Sequence, residues 1–342
     1  MIASTSDPYA GTTRTPAARG GPAPGDRAHR HPRSRRGLRA AVLAALAVPV
    51  LLATAGCGGG GTPAARPGDS LDELAAKRRP AQLISGTSDY GAGQIRISFL
   101  LARPDGSLIL QPRARIWIAA DRRSQPVASA IARLESVTAP GASVNPLGTR
   151  SLYVVQAEVA RSGKYELLVE PIGGRRFAAM SPLLVKARTS ALPVGARAPA
   201  SATPTIASAH GDLRAITTHV PPDRALLRYS VAASLAAHGP FVLLFASPAF
   251  CPNRTCGPIL DVVDSVRRRL AASDVRFIHV EPYQDNNPGL GFNHWAREWR
   301  IPSEPFTYLI GGDGRVRAKF EGSISAAELL KAVRTMLLPR KV

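Results

Sequence analysis

The stretch PFVLLFASPAFCPNRTCGPILDVVDSVRRRLAA, residues 240–272, decides the fold, because it joins a strand, two cysteines and a helix without a break. PFVLLFA (240–246) is a continuous apolar run of strand length, the pattern of a strand buried on both faces. From residue 256 the period changes. Ile259, Val262, Val263, Val266 and Leu270 recur on one face, predicting an amphipathic helix over 256–272. Cys251 and Cys256, with four residues between them, fall in the connection and at the helix start.

Working outward, SVAASLAAHG (230–239) reads as a short helix with Ser230 as N-cap and Gly239 as its stop. VRFIHVE (275–281) reads as a strand and FNHWAREWRI (292–301) as a helix. PFTYLIGGDGRVRAKFEG (305–322) is a hairpin turning at residues 312–314, and SAAELLKAVRTML (325–337) is a closing helix. The order β-α-β-α-β-β-α, preceded by a helix, predicts a sheet covered by helices on both faces.

Residues 82–188 follow another pattern. QIRISFLLA (94–102), RARIWIAA (113–120), LYVVQAEVA (152–160), KYELLVE (164–170) and PLLVKA (182–187) alternate with period two or form short apolar runs, separated by turns such as RPDGS (103–107). This predicts an all-β, immunoglobulin-like sandwich. It holds no cysteine or histidine and no carboxylate cluster at metal or hydrolase spacing, so binding or spacing is its expected role. Residues 189–211, rich in Pro, Ala and Ser, read as an extended linker to an α/β domain over 212–342.

The chain has 342 residues and a net charge of +20. Residues 1–56 carry eight Arg against two Asp, and the remaining Arg residues are dispersed among Ala, Pro and Val. No basic stripe interleaved with aromatics appears, so nucleic acid is not an expected partner and anionic lipid headgroups are the better match. Residues 1–36 cannot build a core. The apolar run AAVLAALAVPVLLATAG (40–56) is short for a membrane span but suits a signal peptide. Arg35 and Arg36, with Ser34 before and Leu38 after, resemble a twin-arginine export signal. ATAGC (53–57) resembles a bacterial lipobox, with Thr54 where Leu is usual, which implies lipidation of Cys57. Residues 57–81 then read as a flexible tether. The expected location is extracytoplasmic, on the cell membrane through a lipid anchor. With Cys57 lipidated, Cys251 and Cys256 are the two remaining thiols, in a compartment where disulfides persist.

Residues 212–337 resemble thioredoxin-like domains, in particular the membrane-tethered extracytoplasmic thioredoxins of the TlpA type and the related domains of peroxiredoxins and Sco-type copper proteins. Three features carry this: FVLLFASPAFCPNRTCGPILDVV, the segment EPFTYLI (304–310), and the DGRV hairpin with its FEG and terminal helix. The resemblance implies a cis Glu304–Pro305 bond and a role for Pro305 in positioning an extended substrate segment. It implies redox activity for Cys251 and Cys256. Cys256-Gly257-Pro258 matches the start of the family's CGPC, with Ile259 in place of the second cysteine and Cys251 as resolving partner. The opposite assignment, with Cys251 as the first cysteine, stays open. Arg254 would help hold either thiolate. Leu244 occupies the place of the family's buried acid, for which Glu281 is a candidate substitute, although a strand-end Glu is more often solvated.

The expected activity is thiol–disulfide exchange with exported protein substrates or a redox partner, with no cofactor. Two alternatives remain: a non-catalytic binding lipoprotein with a structural disulfide, and a Sco-like copper chaperone. Copper would need a histidine beside the thiolates. His279 reads as a packed strand residue, His294 comes early, and RIPSE (300–304) has none. A peroxidase is disfavoured, since Pro248 and Asn253 stand where a threonine is required.

Overall fold

The computed structural model describes residues 68–139, 150–250 and 256–338. All belong to one compact unit, Gly60–Val342. The export segment, Cys57, Cys251 and Arg254 lie outside the described residues. Among the described residues no helix is long and apolar enough to cross a membrane.

The first half is built from α1 (Leu71–Ala75), β1 (Arg79–Pro80), β2 (Gln82–Ser85), β3 (Tyr90–Gly91), β4 (Gly93–Ala102), β5 (Arg113–Ala119), β6 (Ala128–Ser136), β7 (Ser151–Val159), β8 (Gly163–Pro171) and β9 (Phe177–Lys186). Period-two alternation sends Ile95, Ile97, Phe99 and Leu101 of β4 inward, where they meet Ile116 and Ile118 of β5, Tyr153 and Val155 of β7, and Leu183 and Val185 of β9. Two separate sheets were expected. The observed hydrogen bonding is instead continuous, in the order β1-β9-β8-β5-β6-β7-β4-β2, with β3 also paired to β9. Strand β6 makes it so: it pairs with β5 up to Arg133 and with β7 from Arg133 onward. Contacts of β2 with β9 and of β3 with β4 curl the sheet into a barrel-like layer around one core.

Part of the expected tether is structured. Ser70 caps α1 in a reciprocal capping box with Glu73. Leu71 and Leu74 are buried against Trp117 and Leu168 on the outer face of the sheet, a gain of about 1.5–3 kcal/mol for each leucine.

The second half continues with α2 (Val231–Ala236), β10 (Phe241–Phe245), α3 (Cys256–Arg269), β11 (Arg276–Val280), α4 (His294–Glu298), β12 (Phe306–Ile310), β13 (Val316–Glu321) and α5 (Ala326–Met336). Its sheet order is β11-β10-β12-β13, with β10 parallel to β11 and antiparallel to β12. With α3 joining β10 to β11, this is a thioredoxin-like arrangement. Every β10 residue is buried. Val242 and Leu244 face Ile259, Val263, Leu329 and Val333 of α3 and α5, while Phe241, Leu243 and Phe245 face Val231 and Trp299. Helix α4 is shorter than its sequence pattern, starting after its N-cap Asn293, whose side chain accepts from the Ala296 amide.

The segment 189–211 is not a free linker, and it ends in a hydrogen-bonded turn at 206–211. Gly195 N–H and Ala198 N–H donate to Val316 O and Gly314 O, both at 2.8 Å, and Val316 N–H donates to Ala196 O at 2.9 Å. Ala191 is fully buried in the core beside Trp299. The strap thereby pairs with the turn before β13 and with its first residue, Val316.

The two halves dock through polar groups. Arg96 of β4 holds Glu328 of α5 bidentately, with both N···O distances 2.8 Å, and donates to Ser323 O at 2.9 Å. Both side chains of this pair are largely buried. Gly322, at φ +73°, brings its backbone against Gly86, and a Cβ there would lie 2.2 Å from Gly86 O. We expect Gly322→Ala to cost on the order of 3 kcal/mol through this clash and the left-handed backbone. Gly106→Ala, at φ +82° in open space, should cost only about 1 kcal/mol. Urea unfolding of both variants checks this, and equal costs would show that the docking tolerates a side chain.

Candidate functional site

The register of β10 assembles the site. Phe245 is paired with Val280 on one side and Phe306 on the other. The residues just after β10, just after β11 and just before β12 therefore meet at one end of the sheet. These are Ala246 and Ser247, Glu281, and Glu304 with Pro305. The Glu304–Pro305 bond is cis, as expected, and a second cis bond, Val220–Pro221, was not anticipated. Helix α3 begins at Cys256, which places that cysteine at the N-terminus of a 14-residue helix. Cys251 and Arg254 lie outside the described residues, so the structure describes one member of the cysteine pair by its backbone only.

Glu281 corrects the expectation of a solvated strand-end residue: it is only 4% exposed. Its Oε1 accepts from the Thr218 amide at 2.6 Å and from Thr218 Oγ1 at 2.9 Å. Burial raises its pKa to about 7, with the Thr218 bonds pulling the other way. Glu304 is also buried, and desolvation raises it to about 7, with a smaller contribution from the charge of Glu281. Tyr283, beside Glu304 and stacked on Phe292, is pushed up to about 12, chiefly by burial. Two carboxyl groups that hold their protons near neutrality thus stand at the strand ends.

His279 is packed as expected. Its Nε2 is 2.9 Å from Ala246 O and 3.9 Å from Glu281 Oε1. Complete burial lowers its pKa to about 4, so the ring is neutral. The His294 ring lies against Trp295 at the start of α4, tilted by 44° with centroids 4.2 Å apart. Among the described residues no group of three or more His, Cys, Asp or Glu is arranged to hold a metal ion. Leu244 lies in the apolar core.

Several supporting residues were not singled out in the sequence. Thr218 bridges Glu281 to the cysteine connection, since its Oγ1 also lies 3.2 Å from the Ala249 amide, which donates to it. Asn293 donates to Glu281 O at 2.7 Å while capping α4. The Asn ahead of HWARE was a readable N-cap signal. Nothing in ITTHVPPD (216–223) marks Thr218, because it reaches the site only through the folding of the segment before β10.

No family model and no curated protein matches the chain. Among solved structures it is similar to a thioredoxin-family thiol:disulfide interchange protein from Chlorobium tepidum TLS, at 18% identity over 43% of this chain and 100% of that one, with a TM-score of 0.29.

A carboxyl whose pKa is raised on folding stabilises the native state fully below its unfolded value and loses that contribution as pH climbs through the folded one. For Glu281 the window runs from pH 4.5 to about 7. Glu281→Gln keeps an acceptor for Thr218 without the charge. Its stability relative to the parent should rise by on the order of 3 kcal/mol across that window. Urea titrations at both ends of the window test this, and parallel pH profiles would show that Glu281 ionises normally.

Proposed function

We propose that this chain is a membrane-anchored, extracytoplasmic thiol–disulfide oxidoreductase that exchanges disulfides through Cys251 and Cys256. The observation that carries this reading is the start of α3 at Cys256, at the N-terminus of a helix that packs on the same sheet whose strand ends hold Glu281 and Pro305. A helix N-terminus presents unpaired N–H groups and partial positive charge, which favour the thiolate.

In this reading the Cys256 thiolate attacks one sulfur of a partner protein's disulfide. A mixed disulfide forms and the partner's second sulfur leaves as a thiolate. The Cys251 thiol then loses its proton and attacks Cys256, closing the intramolecular disulfide and releasing the reduced partner. Two electrons pass to the partner, and the proton given up by Cys251 is taken by Glu281 or Glu304, each able to hold a proton near pH 7. Pro305 and its neighbouring backbone align the partner segment. The lipobox-like ATAGC and the twin-arginine-like motif support anchoring through Cys57 outside the cytoplasm. The strand order of the first half, β2-β4-β7 and β5-β8-β9 joined through β6, supports an immunoglobulin-like class for it.

Equilibration of the exported fragment with glutathione should give a potential for the cysteine pair between about −270 and −120 mV, the range of working exchange couples. A value below about −300 mV would mark a structural disulfide and overturn the redox reading. Cys251→Ser should accumulate a mixed disulfide with substrate through Cys256, whereas the Cys251→Ser/Cys256→Ser double variant should accumulate none.

A further inference from the structure

A cleft of about 520 Å³ lies between the two halves. It is lined by β3, the start of β4, the segment 187–194, β13 and the end of α5, and neither Glu281 nor Glu304 reaches it. Ile95, Phe306 and Phe320 are the buried apolar part of its lining, while Val194 and Met336 are 61% and 44% exposed. A concave, mostly apolar surface with a few polar groups is the ordinary form of a small-molecule site.

Lys319 is the polar group of the cleft with binding capacity left. Its Nζ donates to Thr189 Oγ1 and, at 3.3 Å, to Ala191 O. Among the described residues it has no third acceptor and no ion pair. An ammonium carries three donors, so one N–H remains. The carboxylates of the cleft are in the opposite state. Glu321 accepts from four donors: Ser88 N–H at 2.8 Å, Ser88 Oγ at 2.7 Å, Asp89 N–H at 2.8 Å and Ser303 Oγ at 2.8 Å. Asp89 accepts from Ser190 N–H at 2.7 Å, Ala191 N–H at 3.0 Å and Lys186 Nζ at 3.1 Å. A carboxylate offers about four lone-pair sites, so these two leave little for a cationic ligand. Arg96 is held by Glu328 and Arg317 by Asp313, each at 2.8 Å. Arg188 is exposed on the same lining and, among the described residues, forms no ion pair.

We propose that this cleft binds a small organic acid, whose carboxylate takes the remaining Lys319 N–H and whose apolar body lies against Ile95, Phe320 and Met336. Arg188 adds a second positive charge for the anion. An inorganic anion would leave the apolar lining uncovered, and an uncharged apolar ligand would give the ammonium no new acceptor. The site is independent of the thiol-exchange reading.

Decanoate, one carboxylate on a flexible apolar chain, is titrated into the protein by calorimetry, and saturable one-to-one binding is expected. Lys319→Met keeps an apolar stem without the charge and should weaken decanoate roughly tenfold. Lys164→Met, at an exposed lysine outside the cleft, should leave the affinity unchanged. Decanol should bind the parent about as weakly as decanoate binds Lys319→Met. Burial holds the Lys319 pKa down to about 8, with Asp89 and Glu321 pulling it up and Arg300 pushing it further down. Arg96, Arg188 and Arg317 are the other charges on the lining. A bound anion favours the ammonium, so decanoate should raise that pKa by about one, the linkage equivalent of tenfold, and should itself bind more weakly as pH climbs past this range. The Cε resonance of Lys319, one of six lysines in the sequence, reads this in the parent without any variant. Absence of saturable binding, equal weakening in both lysine variants, decanol as tight as decanoate, or a Lys319 titration that decanoate leaves in place would each overturn the site.

Discussion

Strand β10 has no solvent-facing side, and that constraint organises the thioredoxin-like half. All five of its side chains are buried, and the two faces carry unlike cores. One face packs Val242 and Leu244 against aliphatic residues of α3 and α5, while the other packs Phe241 and Phe245 beside Trp299 and Tyr308. A slip of one residue would exchange the two sets and drive aromatic rings into space shaped for valine. The register with β11 and β12 is thereby fixed, and with it the meeting of Ser247, Glu281 and Pro305 at one end of the sheet.

Strand ends are where ladder hydrogen bonding stops, so buried polar groups there need other partners. Here they find them locally. His279 engages Ala246 O, Asn293 engages Glu281 O, and Thr218 engages the Glu281 carboxylate. These bonds hold the site rigid without compensating for the full cost of desolvating a carboxylate. The residual cost appears as the raised pKa of Glu281, a group that keeps its proton to about pH 7. Glu281 is thus a buried acid at the end of β11, while β10 beside it carries none.

The thioredoxin-like half was legible because its elements are long, apolar and bounded by caps and glycines. The strand before the cysteines, the helix face from Ile259 to Val266 and the DGRV turn all announce their periods. The β-domain was legible where Ile and Val alternate, as in β4 and β5, and illegible in β6, whose ASAIARLES carries mostly small and charged residues. That strand is held by its neighbours' ladders more than by its own burial. The strap over 189–211 was misjudged for a related reason. Its composition predicts an extended chain, which fails at the turn over 206–211, and composition cannot show that residues 195–198 bond to the start of β13. Glu281 was visible as a candidate, and its burial was not, because Thr218 and Asn293 that enclose it come from 63 and 12 residues away.

The docking of the two halves argues against a mere spacer. A spacer needs a connection, whereas this contact is built from directional bonds: the bidentate Arg96–Glu328 pair, the four donors on Glu321, and a backbone approach that admits only glycine. Such buried ionic contacts contribute little net stability over an apolar interface of the same size, because desolvation offsets most of their attraction. What they do supply is orientation, since each bond is lost on a small rotation. An interface that gains orientation over adhesion, placed against the Pro305 segment, holds that segment and the β-domain in one fixed relation.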